Sequence, residues 1–176
     1  MKSPPKIRPI KKKDRPRLES ILKALKHFQP AEVQVALELI DIALTQRGQE
    51  DYIFRIAEGA EGQILGYICY GQAPLTDAVY DIYWIVVHPA SWNQGTGTAL
   101  LRQAEEEMRL RKARLLLIET SSRPAYQIPR AFYGKHGYKE QARILDYYAV
   151  GDPKLIFSKT LTPISPPGLG PRWKEN

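Results

Sequence analysis

Apolar residues recur along this chain with two different periods. From Pro30 to Thr45, Val33, Ala36, Leu37, Ile40 and Leu44 fall three and four apart, with Glu32, Gln34, Glu38 and Asp41 opposite. That is the spacing of a helix with one buried stripe. An earlier helix is predicted to begin after Asp14, a side chain suited to capping, with Pro16 in its first turn. Between Thr98 and Lys112, Leu101, Ala104 and Met108 mark the inward face of another, and Arg109, Arg111 and Lys112 lie near its negative end. Runs rich in β-branched and aromatic residues read as strands: Ile7 to Ile10, Tyr52 to Ala57, Ile64 to Tyr70 and Val79 to Val87. Glu58-Gly59-Ala60-Glu61-Gly62 reads as a hairpin connection between the second and third of these.

Leu115 to Thr120 opens on an unbroken apolar run, as expected of a strand buried on both faces. Pro129 can open one more helix, and Gly137 can end it in the left-handed conformation. Tyr138 to Tyr148, expected to bend, and Leu155 to Lys159 read as closing strands. From Thr162 onward the chain is too rich in proline and glycine to sustain regular pairing. The reading is therefore one domain over 1–161 with a tail over 162–176, and no internal repeat.

One junction carries chemistry. The run Val79 to Val87 stops at Pro89, and a short loop delivers Gly95-Thr96-Gly97 directly into a helix-forming segment. Such a junction aims unpaired backbone N–H groups and the positive end of a helix dipole at one spot, and glycine lets an anion approach closely. No lysine follows Gly97, which excludes the Gly-x4-Gly-Lys-Ser/Thr phosphate loop. Leu100 stands where a dinucleotide fingerprint needs a third small residue, and several strands precede the loop. A phosphate-bearing ligand remains the expectation.

Composition narrows the field. Charged and hydrophobic fractions of 26% and 43% are those of an ordinary globular domain. The single cysteine, Cys69, excludes an internal disulfide and, lying in a strand-like run, reads as a small buried residue. No apolar run reaches membrane-spanning length, and the three histidines lack metal-ligand spacing, so neither membrane nor metal is expected and the location expected is cytoplasmic. The net charge of +7 is local: residues 1–17 hold eight basic groups and one acid, and the remainder is neutral. This arm, without interleaved aromatics, reads as a solvated first strand and loop, and nucleic acid is not expected.

Val87-His88-Pro89 followed by Gly95-Thr96-Gly97, and then Ala131-Phe132-Tyr133-Gly134-Lys135-His136-Gly137-Tyr138, resemble the two signature segments of the GNAT N-acetyltransferases. The resemblance spans roughly residues 7–161. The Gln/Arg position of the first segment falls on Trp92, a departure. The resemblance implies an α/β fold with a mostly antiparallel, twisted sheet of about seven strands flanked by helices. It implies acetyl-CoA as co-substrate, held by Val86, Val87, Trp92, Asn93, Gln94, Gly95, Thr96, Gly97, Thr98 and Tyr133. An amine-bearing acceptor is the other partner, and a homodimer stays open.

Acetyl transfer to an amine needs a base for the amine proton and a donor for the departing thiolate. The resemblance assigns the donor to Tyr133. For the base, the residues leave three readings open: Asp81, sharing one face of its strand with Tyr83; Glu119, at a strand end; or a water chain. Tyr80, Tyr83, Trp84, Tyr126, Tyr147 and Tyr148 furnish aromatics for an acceptor side. Two other functions compete: a non-catalytic CoA-binding module of the same fold, and a nucleic-acid-associated protein using the basic arm.

Overall fold

A computed structural model describes residues 4–26, 28–46 and 48–161. Lys2 of the basic arm, His27 and the tail over 162–176 lie outside the described residues. The elements run β1 (Lys6–Pro9), α1 (Arg15–Ala24), α2 (Pro30–Thr45), β2 (Ile53–Glu58), β3 (Ile64–Gln72), β4 (Val79–Val87), α3 (Thr96–Leu110), β5 (Leu115–Ser121), α4 (Gln127–Lys135), β6 (Lys139–Ala149) and β7 (Asp152–Thr160). Seven strands form one sheet in the order β1-β2-β3-β4-β5-β7-β6. Every neighbouring pair is antiparallel except β4 and β5. Among the described residues, no helix is long and apolar enough to cross a membrane.

Two apolar cores cover the two faces of the sheet. On one face α3 and α4 bring Leu100, Leu101, Ala104, Met108 and Tyr133 against Tyr80, Ile82, Leu116 and Ile118. On the other, α1 and α2 bring Leu18, Ile21, Leu22, Ala36, Leu37 and Ile40 against Phe54, Ile56, Tyr67, Cys69 and Val86. Cys69 is fully buried, and burial pushes its thiol well above the ordinary value.

The strand that carries the chemistry is not regular. Cys69 pairs with Trp84 and Tyr70 with Ile82, so Tyr83 is an extra residue, a β-bulge. The bulge shifts the period-two alternation by one. Tyr80 and Ile82 belong to the α3/α4 face, Tyr83, Trp84 and Val86 pack on the α1/α2 face, and Ile85 and Val87 return to the first. The parallel pairing of β4 with β5 covers only Val79, Asp81 and the residue between them, opposite Leu115, Leu116 and Leu117. Beyond Asp81 the two strands part.

The expectation of burial on both faces is corrected for β5. Leu116 and Ile118 are buried, but Leu115 and Leu117 are only partly covered and Glu119 is exposed. One face of the strand is open because α1 and α2 pack over β2, β3 and β4. β6 is the sheet's outer edge and exposed along its whole length, with irregular register at Glu140/Ala142 and Ile144/Ala149, in keeping with the expected bend.

A second correction concerns Asp14, whose side chain does not cap α1. Its carboxylate is buried at 2% exposure, accepts from Arg8 at 2.7 and 3.0 Å and accepts the Lys11 amide at 2.8 Å. Arg8 also donates from Nε to Glu58 at 2.6 Å. Part of the basic arm is therefore an internal ion pair rather than a solvated charge. Burial alone would raise the Asp14 carboxyl, but the Arg8 and Lys11 bonds together hold it below its ordinary value. Its stabilisation is present above the unfolded-state pKa and lost as pH falls through the lower folded one. Asp14→Ala leaves the buried Arg8 guanidinium with Glu58 and the Pro9 carbonyl, and is expected to cost about 3 kcal/mol of unfolding free energy. Urea unfolding at neutral pH checks this, and a loss below about 1 kcal/mol would show the pair to be incidental.

Candidate functional site

Where β4 and β5 part, the sheet opens into a cleft of about 1690 Å³. Its lining includes Asp81, Tyr83, Trp84, Val86, Val87, Trp92, Asn93, Gly95, Thr96, Gly97, Thr98, Glu119 and Tyr133. Of the site residues expected from sequence, Gln94 alone is not part of this lining. It turns back instead, donating from Nε2 to the Ala90 carbonyl at 2.7 Å.

The floor at one end is the start of α3. The chain reaches it through Asn93 and Gly95, both with positive φ (57° and 81°), and Gly95 occupies the cap position. The first helical bond joins the Ala99 N–H to the Gly95 carbonyl at 2.9 Å. The amides of Thr96, Gly97 and Thr98 therefore stand ahead of that bond, at the positive end of the helix. A Cβ on Gly97 would meet the Phe132 ring at 3.4 Å and a Val87 methyl at 3.7 Å, both cleft-lining residues.

α4 is fastened to the same helix start. The Phe132 carbonyl can only accept, so His136 Nδ1, 2.8 Å away, carries the proton. Nε2 is then left to accept from the Thr98 hydroxyl at 3.0 Å. This link between the two signature segments was not anticipated, although both partners lie within them.

Trp92, the departure from the family pattern, has a defined task. Its indole donates to the Val87 carbonyl at 2.8 Å while the ring remains 42% exposed. Of the backbone groups that Val86 and Val87 could offer a ligand, the Val87 carbonyl is therefore already engaged. Among the described residues, the edge of β4 from Ile82 onward still has no strand partner on its β5 side.

Deeper in the cleft, titratable groups approach the opening from both faces. Tyr133 comes from the α4 side, its ring held between Phe132, Tyr138 and Phe157 at centroid distances of 5.9, 6.4 and 6.1 Å. Among the described residues its hydroxyl has no hydrogen-bond partner, whereas the nearby Tyr138 hydroxyl donates to Glu105. Burial pushes the Tyr133 phenol well above its ordinary value, so it stays protonated. Asp81 lies on the α1/α2 face at the fork itself, its pair with Leu117 being the last before the strands part. It has no hydrogen bond or ion pair among the described residues. Burial, and then the charge of Glu119, push its carboxyl above the usual carboxylate range. Glu119 differs: Lys154 Nζ stands 2.6 Å from its Oε2.

At the far end α2 is tied to the connection after β5. The Tyr126 hydroxyl donates to Glu32, Arg123 lies 3.7 Å from Glu32 and 3.2 Å from Asp152, and the Ser121 hydroxyl donates to Asp152 at 2.6 Å. Sequence reasoning missed this network and Lys154, since nothing local marks partners so far apart along the chain.

The GNAT acetyltransferase domain model matches residues 50–140. A crystal structure of a Desulfovibrio desulfuricans protein assigned to the GNAT family is 33% identical, with a TM-score of 0.83 over 89% of this chain and 99% of its own. An aminoglycoside 6′-N-acetyltransferase solved with coenzyme A is 17% identical, with a TM-score of 0.71 over 92% of this chain and 99% of its own. The ribosomal-protein-S18-alanine N-acetyltransferase of Escherichia coli is 18% identical, with a TM-score of 0.71 over 93% of this chain and 97% of its own. A search of curated proteins returns no match. With its sheet parting between β4 and β5 and a glycine loop opening α3, the chain belongs to the GNAT family of acetyltransferases.

Proposed function

We propose that this protein is an acetyl-CoA-dependent N-acetyltransferase that moves the acetyl group to a primary amine by direct attack. The observation carrying the reading is that Tyr133 and Asp81 line one cleft from opposite faces of the sheet. A thioester carbon lying between the parted strands would have a proton donor on one side and a proton acceptor on the other.

The residues present fit acetyl-CoA. The amides of Thr96, Gly97 and Thr98 suit its pyrophosphate, the unpaired edge of β4 suits the amide-bearing arm, and the cleft volume suits a long ligand. Coenzyme A accompanies two of the structural neighbours. In the chemical step the neutral amine nitrogen attacks the thioester carbonyl carbon, the C–N bond forms and the C–S bond breaks. Asp81, directly or through water, takes the amine proton. Tyr133 donates a hydrogen bond to the departing sulfur. Its phenol is a weaker acid than an ordinary thiol, so donation without complete transfer is the favoured role. Asp81 suits the base better than Glu119, because its raised pKa brings it closer to neutrality and the direct partner of Lys154 is Glu119.

Gly97→Val places a branched side chain against Phe132 and Val87 where the ligand must pass. Calorimetric titration is expected to show acetyl-CoA affinity lowered at least about tenfold, the loss of one good charge-assisted contact. Unchanged affinity would contradict the placement of the pyrophosphate. A non-catalytic module would bind acetyl-CoA equally well yet release no thiol in the presence of any amine.

A further inference from the structure

The walls of the cleft beyond Asp81 say what kind of amine suits them. Four carboxylates line this end: Glu32, Asp81, Glu119 and Asp152. The cations beside them are already engaged. Lys154 lies 2.6 Å from Glu119, and Arg123 lies 3.2 Å from Asp152 and 3.7 Å from Glu32. Asp81 makes no direct ion pair among the described residues and feels Lys154 only at a distance, and the carboxylates here outnumber the cations paired with them, so this end carries a net negative charge that attracts an ammonium and repels an anion. Its α1/α2 side is aromatic and apolar. Phe28 and Trp84 meet edge to face at 5.5 Å, Tyr52 and Tyr83 at 5.4 Å, and Val35 and Leu39 extend the same wall. Val35 is 48% exposed, an apolar side chain turned towards the opening.

We propose that the acceptor is a primary amine carried on an aromatic or alkyl body with no carboxylate beside the nitrogen, an arylalkylamine rather than a free amino acid. The inference rests on the transferase reading. The positive amine is drawn in by the uncompensated carboxylate, and its apolar body covers the ring wall. Asp81 then removes the proton that attack requires. The C–N bond forms as the C–S bond breaks, the sulfur leaves as a thiolate hydrogen-bonded by Tyr133, and the second amine proton passes through water to give the free thiol. A carboxylate on the carbon bearing the amine would stand against ionised Asp81, with Lys154 and Arg123 already paired to other carboxylates. Such like-charge juxtaposition costs enough to suppress turnover about a hundredfold.

The test compares 2-phenylethylamine, phenylalanine amide and phenylalanine as acceptors, following thiol release from acetyl-CoA with the full-length protein. The first two are expected to exceed phenylalanine in kcat/KM by about a hundredfold, and 2-phenylethylamine to exceed ethylamine by about tenfold. Glu119→Gln frees Lys154 and is expected to narrow the ratio of amide to free acid about tenfold. Equal turnover of phenylalanine and its amide overturns the inference and leaves the transferase reading standing. So does a peptide N-terminus or a polyamine that outruns 2-phenylethylamine, and so does an unaltered ratio in Glu119→Gln. Binding of acetyl-CoA with no thiol release from any amine instead overturns the transferase reading itself.

Discussion

Tyr133→Phe is expected to lower kcat by about 10² to 10⁴-fold while acetyl-CoA affinity and Tm stay close to wild type. The substitution removes one oxygen and nothing else. The ring keeps its contacts with Phe132, Tyr138 and Phe157. Because the hydroxyl has no partner among the described residues, its loss leaves no buried group unpaired, and the usual penalty for deleting a tyrosine hydroxyl is absent. The measurement separates three cases. A fall in kcat alone supports donation to the leaving sulfur, loss of fold or of cofactor binding makes the tyrosine structural, and wild-type turnover assigns the proton to solvent.

Asp81→Asn is expected to lower kcat by about 10² to 10³-fold at neutral pH, the range for losing one general base. It should also make the protein more stable there. Asp81 sits with its pKa raised by burial and by Glu119, so the native state holds its proton more tightly than the unfolded chain does. Its contribution to stability is full below the unfolded pKa and is lost as pH rises through the folded one, leaving an ionised, half-buried carboxylate that costs free energy at neutral pH. Asparagine has no charge to bury, and Tm at pH 7 should rise. The wild-type kcat/KM profile should carry an acid limb above the usual carboxylate range, and this limb should vanish in Asp81→Asn. If Glu119→Gln loses more activity than Asp81→Asn and takes the limb with it, Glu119 is the base.

Repeating apolar spacing made most of the fold legible. The expected bounds of α2 and β4 coincide with the observed ones, and the other strands and helices shift by a few residues at their ends, where short-range pattern is weakest. The glycine loop was legible because positive φ at Gly95 and an uncapped helix start are local properties. What sequence spacing could not show was pairing between distant segments. The unbroken apolar start of β5 suggested burial on both faces, yet α1 and α2 lie over β2, β3 and β4 and leave one face of β5 open. The bulge at Tyr83 has no signal in a run of uniformly strand-forming residues, and it decides which side chains face the acceptor end. Asp14 has the residue type and position of a helix cap. Instead it is held by Arg8, because a buried guanidinium needs a bidentate partner more than the exposed helix start does.

In the proposed function one cleft both binds acetyl-CoA and transfers its acetyl group to an amine. The most direct measurement incubates the purified protein with acetyl-CoA and a panel of primary amines, quantifying free thiol and acetylated amine in the same reaction. The two products are expected to appear in equal amounts with at least one amine, and both are expected nearly to disappear in Tyr133→Phe and Asp81→Asn. Saturable acetyl-CoA binding without either product across the panel, or thiol release with no acetylated amine, would contradict it.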